Sequence, residues 1–211
     1  MKTDDLELGR RLFHASGGLF VLVYVFGFLP WKGLGALLVL ATVVSGVLEF
    51  LRIFTEVADK VPVLGAVYGR LTRPYENDSP AGYFYYVFSM TVAWLVFPPF
   101  AGVPGMLMLA FGDPFSGILT EASSGETKEA WVLVAMFFFC FLVIALPYLY
   151  TATSLSTGGV VLVSAGGALG ATAADGANVE VRGFFLDDNL TIPLVSGLVI
   201  RVLAAPAALF L

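Results

Sequence analysis

The chain has 211 residues, of which 58% are hydrophobic and 13% charged, whereas ordinary soluble domains carry roughly 25% charged residues. This composition excludes an ordinary soluble protein and indicates an all-α, polytopic membrane protein. The net charge of −5 argues against a nucleic acid as partner, because nucleic acids are bound by basic surfaces. Cys140 is the only cysteine, which excludes internal disulfides and a cysteine-based zinc site.

Apolar stretches of about 20 residues, the length that spans the hydrocarbon core of a bilayer, recur along the whole chain. They predict a single integral membrane domain over 1–211, a bundle of about seven transmembrane helices. The first stretch is long for the core of a signal peptide, so we interpret it as mature structure. The helices are expected at 12–30, 33–53, 81–100, 101–120, 130–150, 155–174 and 190–211.

The basic residues predict how the bundle is oriented. When helix ends are assigned alternately to two sides, nearly all basic residues fall on one side, Lys32 falls on the other, and Arg201 lies within the last helix. By the positive-inside rule the amino terminus is cytoplasmic and the carboxyl terminus outside, and a prokaryotic plasma membrane is the expected location. The residues on the cytoplasmic side are Lys2, Arg10, Arg11, Arg52, Lys60, Arg70, Arg73, Lys128 and Arg182.

An aspartate interrupts the fourth predicted helix, in the run Phe111-Gly112-Asp113-Pro114-Phe115-Ser116-Gly117. A carboxylate in hydrocarbon costs a few kcal/mol or more, so it indicates a functional site. Gly112 and Pro114 both loosen a helix, and we predict that helix 4 is broken near them. Irregular backbone at membrane depth needs cover from protein or a water-filled cavity, which predicts a polar pocket around Asp113. A simple kink with an acid near the interface is the alternative.

Further acids and cations are expected at the same membrane face. Asp175 ends helix 6, and Asp187, Asp188 and Asn189 begin helix 7, where end-capping would explain one of the two adjacent acids. Carboxylates beside guanidinium groups suggest a divalent cation and phosphate, because Mg²⁺ takes oxygen ligands and shares them with phosphates. Arginine and lysine neutralise the remaining phosphate oxygens. The basic candidates, which could also serve only as topology signals, are Arg10, Arg11, Arg70, Arg73 and Lys128.

Four motifs in this order resemble the CTP-dependent polyprenol kinase family, which includes dolichol kinase, phytol kinase and a CTP-dependent diacylglycerol kinase. The motifs are Glu7-Leu8-x-Arg10-Arg11-x-x-His14, Glu76 before Gly82, Gly112-Asp113-Pro114-Phe115-Ser116, and Asp187-Asp188-Asn189-Leu190-Thr191-Ile192-Pro193. The chain looks like a minimal, archaeal-like member. The resemblance implies transfer of the γ-phosphoryl group of CTP to a membrane isoprenoid alcohol at the cytoplasmic face. It also implies essential roles for Arg10, Arg11, Asp113 and Asp188.

On this basis the sequence predicts a phosphoryl-transfer site in which positioning and charge stabilisation do most of the work. Asp113, Asp175, Asp187 and Asp188 are the expected ligands of Mg²⁺. A carboxylate such as Asp113 or Asp188, or His14, is expected to act as general base, and the choice between them stays open. The residues expected to bind the nucleotide are Arg10, Arg11, Arg70, Arg73, Gly112, Lys128 and Asn189.

The chain departs from the family after Gly-Asp-Pro, because most of the usual basic run is missing and Lys128 alone stands in its place. A nucleotide other than CTP therefore stays open, as do the identity of the lipid alcohol and the oligomeric state. One alternative is a lipid cytidylyltransferase of the CDP-diglyceride or CDP-archaeol synthase type, although its Pro-Gly-His-Gly-Gly and Asp-Arg-x-Asp signature is absent. A small transporter is the other, although transporter sites usually lie at the midplane between repeats.

Overall fold

The computed structural model describes residues 3–122, 128–150, 155–177, 180–181, 184–185 and 187–207. Lys2, Arg182 and the last residues of the seventh predicted helix lie outside this part of the chain. The described residues are almost all helical, and they divide into two compact units, Met1–Thr91 and Val92–Leu211. The single domain expected over 1–211 stays a prediction.

The unit Met1–Thr91 begins with two long helices, α1 (Thr3–Val25) and α2 (Trp31–Phe54). Gly27, in the short turn between them, has a φ of +78°, a left-handed conformation that costs glycine little. The stretch 54–80, expected only as a loop, contains further helical elements. They are α3 (Val57–Lys60), α4 (Pro62–Leu71) and a 3₁₀ turn (Pro74–Glu76), after which α5 (Gly82–Val96) crosses from this unit into the next.

A glycine lets α1 and α5 pack closely within this unit. A Cβ on Gly17 would lie 2.5 Å from the hydroxyl oxygen of Tyr86, which is closer than two such atoms can approach. Tyr86 is fully buried, and its hydroxyl donates to the backbone oxygen of His14 (2.7 Å). On the other side of α5, the Thr42 and Thr91 hydroxyls form a hydrogen bond of 2.8 Å that ties α2 to α5. Small and hydroxyl-bearing residues thus hold these helices together, as is common in membranes.

The unit Val92–Leu211 is built mainly from four helical segments and a short hairpin. Its tightest contacts also run through glycine: a Cβ on Gly105 would lie 2.7 Å from the backbone oxygen of Pro193, and one on Gly170 would lie 3.3 Å from the Cα of Ser196. The elements are α6 (Pro99–Leu107), a π-helical turn (Met108–Gly112), α7 (Asp113–Ala122), α8 (Ala130–Tyr150), α9 (Thr157–Gly176), β1 (Glu180–Val181), β2 (Phe184–Phe185) and α10 (Asp188–Ala207).

Four helices among the described residues are long and apolar enough to cross a membrane: Trp31–Phe54, Pro99–Thr120, Ala130–Tyr148 and Thr157–Gly176. The shorter Gly82–Val96 is also apolar. The chain is therefore a helical membrane protein, as its composition predicts. Each of the seven predicted stretches is largely helical in the described part, but a total of seven spans stays a prediction.

Helix 4 is distorted where a break is expected, but it is not interrupted. From Pro99 to Thr120 the chain forms one helical segment, in which Met108–Gly112 make a π-helical turn. Pro114 lacks the N–H that would bond one turn back, and its ring clashes with the carbonyl of Ala110, four residues earlier. A π turn relieves that conflict by widening the helix, and such turns are frequent at functional sites.

The all-α expectation is correct apart from one small feature. Between α9 and α10, β1 and β2 pair antiparallel, with Glu180 opposite Phe185 and Val181 opposite Phe184. With two residues each, these strands are a small addition to the helices of the described residues, and they lie between the end of α9 and the start of α10.

Arg201, which the sequence leaves without a role, has a structural partner. Its Nη1 donates to the backbone oxygen of Val96, at the end of α5, over 2.9 Å. The last carbonyls of a helix have no partner within the helix, and Pro98 and Pro99, which follow, supply no N–H to replace one. Arg201 therefore supplies a hydrogen bond to a carbonyl at the end of α5, where the prolines that follow have no N–H to offer.

Candidate functional site

Three aspartates from distant parts of the sequence meet in the unit Val92–Leu211. Asp113 is the first residue of α7, Asp175 lies in the last turn of α9, and Asp188 is the first residue of α10. One carboxylate oxygen from each lies within 4.8 Å of the other two, a spacing that could hold a metal ion. We call this group the aspartate cluster. It brings together three of the four aspartates that the sequence predicts as metal ligands.

Local backbone geometry explains how each aspartate reaches the cluster. The π turn ends immediately before Asp113, so that residue starts a new α-helical segment in a changed register. Asp188 begins α10, where the positive end of the helix dipole favours an acid. Asp175 is placed against this rule, because the end of a helix disfavours negative charge. An acid that is kept in an unfavourable position needs local compensation or a role in function.

Two residues of the neighbouring segments compensate Asp175, which is buried. Ser116, three residues after Asp113 and fully buried, donates its hydroxyl to one carboxylate oxygen over 2.9 Å. Lys128 Nζ approaches the other oxygen at 2.6 Å and the backbone oxygen of Asp175 at 3.4 Å. Hydrogen bonds between charged groups are among the strongest in proteins. Lys128 therefore lies beside the carboxylates, and the nucleotide-binding role that the sequence predicts for it stays a prediction. Ser116 is an addition that its i+3 spacing from Asp113 could have indicated.

The electrostatics of the cluster favour a bound cation. Carboxylates this close repel one another, so each raises the pKa of its neighbours. Asp188 lies ahead of the predicted span over 190–211; desolvation raises its pKa well above the usual range, and the charges of Asp113 and Asp187 raise it further. A divalent cation among the oxygens removes this conflict without a proton. Oxygen-only donors match a hard cation such as Mg²⁺.

Asp187 and Asn189 lie beside Asp188 at the start of α10. Asp187 Oδ1 accepts from the backbone N–H of Asn189 (2.9 Å) and from its Nδ2 (2.6 Å), which caps the helix, and Asp188 Oδ1 accepts from the same backbone N–H (2.9 Å). Asp187 is outside the aspartate cluster, so its role as a metal ligand stays a prediction. Asn189 is buried, and its Oδ1 has no hydrogen-bond partner among the described residues. A buried, unpartnered oxygen beside Asp188 fits a site that accepts a cation or a polar ligand.

Gly112 has a packing role in this structure. A Cβ at this position would lie 2.8 Å from Sγ of the buried Cys140 on α8. Two residues beyond Asp113, the ring of Phe115 stacks on Phe139 of α8 with centroids 4.4 Å apart. These contacts fix the π turn, and with it Asp113, against α8. The expected contact between Gly112 and a nucleotide stays a prediction.

The remaining predicted site residues belong to the unit Met1–Thr91. Arg10 and His14 are buried there, with exposed fractions of 8% and 3%, and the His14 ring stacks on Tyr86 at a centroid distance of 4.4 Å. Arg11 is half-buried and Arg70 is exposed. Arg73 Nη1 donates to the hydroxyl of Tyr75 over 2.7 Å. The roles predicted for these five residues are not tested by their positions within this unit.

The same unit contains a buried ionic network to which the sequence assigns no role. Arg52 donates to both carboxylate oxygens of Glu49 (3.1 and 2.7 Å), and Glu49 also accepts from the backbone N–H of Ala81 (2.9 Å). Glu76 accepts from the backbone N–H groups of Arg73 (2.6 Å) and Gly82 (3.1 Å). This network, Glu49–Arg52–Glu76, fixes the segment before α5. An acid and an arginine three residues apart at the end of an apolar helix are the signal that indicates it.

Comparison with known proteins does not add to these observations: no protein-family model, no curated protein and no solved structure matches this chain. The resemblance to polyprenol kinases therefore remains a prediction from four sequence motifs. The structure adds to it a helical membrane protein that contains the aspartate cluster.

Proposed function

We propose that this protein is a lipid kinase that transfers the γ-phosphoryl group of CTP, or of another nucleoside triphosphate, to the hydroxyl of a membrane isoprenoid alcohol. The observation that carries the proposal is the aspartate cluster, in which Asp113, Asp175 and Asp188 meet with Lys128 beside them. Phosphoryl transfer requires metal-bound phosphates held in place and neutralised more than it requires covalent help from the protein. The polyprenol kinase motifs include Asp113 and Asp188, two of the three carboxylates.

Within this proposal the three aspartates hold Mg²⁺, which supplies charge neutralisation for the phosphates and orients them for transfer. Lys128 pairs with Asp175 and adds positive charge for a phosphate oxygen. Ser116 fixes the orientation of the Asp175 carboxylate through its hydrogen bond. Asn189 offers its side-chain oxygen Oδ1, which accepts no hydrogen bond from the described residues. Arg10, Arg11, Arg70 and Arg73 are proposed to neutralise the rest of the triphosphate.

The transfer itself needs a proton acceptor. The alcohol oxygen forms a bond to the γ-phosphorus, the bond from that phosphorus to the bridging oxygen breaks, and the nucleoside diphosphate leaves with that electron pair. The hydroxyl proton passes to a carboxylate of the aspartate cluster or to His14, and both stay candidates. Such a positioned base contributes roughly 10²–10⁴-fold to the rate.

The proposal includes the predicted arrangement in the membrane. Seven spans, a cytoplasmic amino terminus and an external carboxyl terminus would place the start of α7, the end of α9 and the start of α10 at the cytoplasmic face. This is the side on which nucleoside triphosphates are present. The strongly one-sided basic residues support this orientation.

The decisive experiment uses purified protein in phospholipid nanodiscs with Mg²⁺, a panel of lipid alcohols and the four nucleoside triphosphates. CTP labelled in the γ-phosphate is expected to label the lipid, and CTP labelled in the α-phosphate is not. Label from the α-phosphate would instead establish cytidylyl transfer. Substrate flux in liposomes without nucleotide turnover would favour a transporter and would overturn the kinase proposal.

A further inference from the structure

An apolar groove of about 290 Å³ lies between α1, α2 and α5 in the unit Met1–Thr91. Ligand pockets commonly measure about 300–1,000 Å³, so its size is that of a ligand segment and not of a packing defect. Each helix contributes one face, with lining residues at spacings of three, four and seven. The ends of the groove are marked by Phe13 and Phe20 on α1 and by Leu37 and Val44 on α2.

The groove runs along the helices. Seven residues separate Phe13 from Phe20, and seven separate Leu37 from Val44, which gives a length of about 10 Å at 1.5 Å per residue. The small residues Gly17 and Ala41 face the groove and leave it open. Phe20 and Val44 are both half exposed, so the groove opens at the surface. An elongated occupant can enter there sideways from the bilayer.

The walls of the groove are almost entirely apolar, and their two hydroxyl groups already donate to the backbone. The Ser16 hydroxyl donates to the backbone oxygen of Phe13 (2.7 Å), and the Tyr86 hydroxyl donates to that of His14 (2.7 Å). The other lining side chains are hydrocarbon, apart from the thioether of Met90. A polar molecule would lose its hydrogen bonds with water and gain few from such walls. A hydrocarbon chain therefore suits the groove better than a polar molecule does.

One end of the groove is polar, and this gives the occupant a direction. The His14 ring stacks on Tyr86 at that end. Beyond Val44, α2 continues to Glu49 and Arg52, whose network also binds the backbone that leads into α5. At the other end the lining residues Phe20, Leu37 and Leu38 are apolar, and the exposed Lys32 lies five residues before Leu37. An amphiphile with its polar group near His14 and its tail along the groove matches this gradient.

We infer that the α1–α2–α5 groove binds the hydrocarbon tail of the lipid substrate, with the tail directed from the His14 end towards Phe20 and Leu37. This inference rests on the proposed function for the identity of the lipid, a single-chain prenol. It goes beyond that proposal by assigning the part of the chain that recognises the tail. A passing bilayer phospholipid and a helix of a second copy are the competing occupants.

The test uses a prenol with a photoreactive diazirine on its tail, incorporated in phosphatidylcholine nanodiscs that contain the full chain. Two adjacent residues give a matched pair of variants: Val44 lines the groove and is 50% exposed, whereas Val43 is 57% exposed and is not among the lining residues. Val44→Trp places a large ring in the groove, and Val43→Trp places the same ring on the surface of α2. Ala41→Trp, deeper in the groove, is a second filling variant.

We expect photolabelling of α1, α2 and α5 at the groove, with competition by unlabelled prenol. Val44→Trp and Ala41→Trp should each lower the labelling about tenfold, the loss expected when roughly two methylene contacts are removed, and Val43→Trp should leave it unchanged. Labelling spread over lipid-facing positions such as Val43, or label that prenol does not displace, would mean ordinary bilayer lipid and would overturn the inference. Label that is blocked by cross-linked dimer formation would indicate a second copy and overturn it as well.

The outcome separates this inference from the proposed function. Competed labelling at the groove without phosphate transfer from any nucleotide would support the groove and contradict the kinase. Phosphate transfer whose KM for a long prenol is the same in Val44→Trp, Ala41→Trp and the unchanged protein would support the kinase and contradict the groove.

Discussion

Two sets of acids in this molecule differ in what surrounds their carboxylates. In the Glu49–Arg52–Glu76 network, the carboxylates are surrounded by donors from the same unit: a guanidinium fork and three backbone N–H groups. In the aspartate cluster, one carboxylate oxygen from each of three aspartates lies within 4.8 Å of the other two, and Ser116 and Lys128 donate to Asp175. The first arrangement is typical of structural support, because every acid contact is attractive. The second is typical of a site that is completed by a cation.

The largest difference between the two sets should appear in catalysis. Asp113→Asn keeps the shape of the side chain and removes its charge, so we expect transfer to fall at least about 10²–10³-fold, the scale seen when a residue that stabilises transition-state charge is lost. Initial rates with γ-labelled CTP in nanodiscs measure it. Size-exclusion profiles of the variant should match those of the unchanged protein. Near-normal turnover in Asp113→Asn would remove the aspartate cluster from the mechanism.

Substitutions in the Glu49–Arg52–Glu76 network should lower stability more than substitutions in the aspartate cluster. Glu49→Gln breaks a buried ion pair with Arg52 and leaves an uncompensated charge, which typically costs about 3–5 kcal/mol. Asp188→Asn removes a repulsive charge, so without metal it should leave the melting temperature unchanged or raise it. Thermal unfolding in detergent, with a chelator present, compares the two variants. An equal loss of stability in both would show that the aspartate cluster is also a structural network.

Magnesium should distinguish the two sets in a third way. A ligand that binds only the folded state at 100 times its Kd stabilises that state by about 2.7 kcal/mol. We expect Mg²⁺ to raise the melting temperature of the unchanged protein but not that of Asp113→Asn. Glu49→Gln starts from a lower melting temperature and should retain the increase. Ca²⁺ is the informative control, since it takes more oxygen ligands at longer distances than Mg²⁺ does.

The smallest expected effect concerns Arg201, which belongs to neither set. Arg201→Met removes the hydrogen bond to the last carbonyl of α5 and should cost about 1 kcal/mol, the net value of an ordinary hydrogen bond. Turnover measured below the melting temperature should be unchanged. A loss of turnover comparable to that of Asp113→Asn would assign Arg201 a role in function that its contact with Val96 does not provide.

The helices were the most predictable part of the fold. The predicted stretches 33–53 and 130–150 correspond to α2 (Trp31–Phe54) and α8 (Ala130–Tyr150), because a long apolar run in a membrane has few alternatives to a helix. The helix ends were predicted less well wherever the apolar stretch and the helix do not begin or end at the same residue. α1 begins at Thr3 among charged residues, and α5 ends at Val96 because Pro98 and Pro99 stop it before the apolar run is finished.

By itself, the sequence determined that this is a helical membrane protein and that acids at Asp113, Asp175 and Asp187–Asp188 are candidates for one site. Only the tertiary structure decided which of them meet. Asp113 and Asp175 are 62 residues apart, so their approach depends on how α7 and α9 pack. Asp187 and Asp188 are neighbours, but Asp187 precedes α10 whereas Asp188 is the first residue of that helix. Both contact the backbone N–H of Asn189, and only Asp188 of the two joins the aspartate cluster, a difference that composition and spacing do not contain.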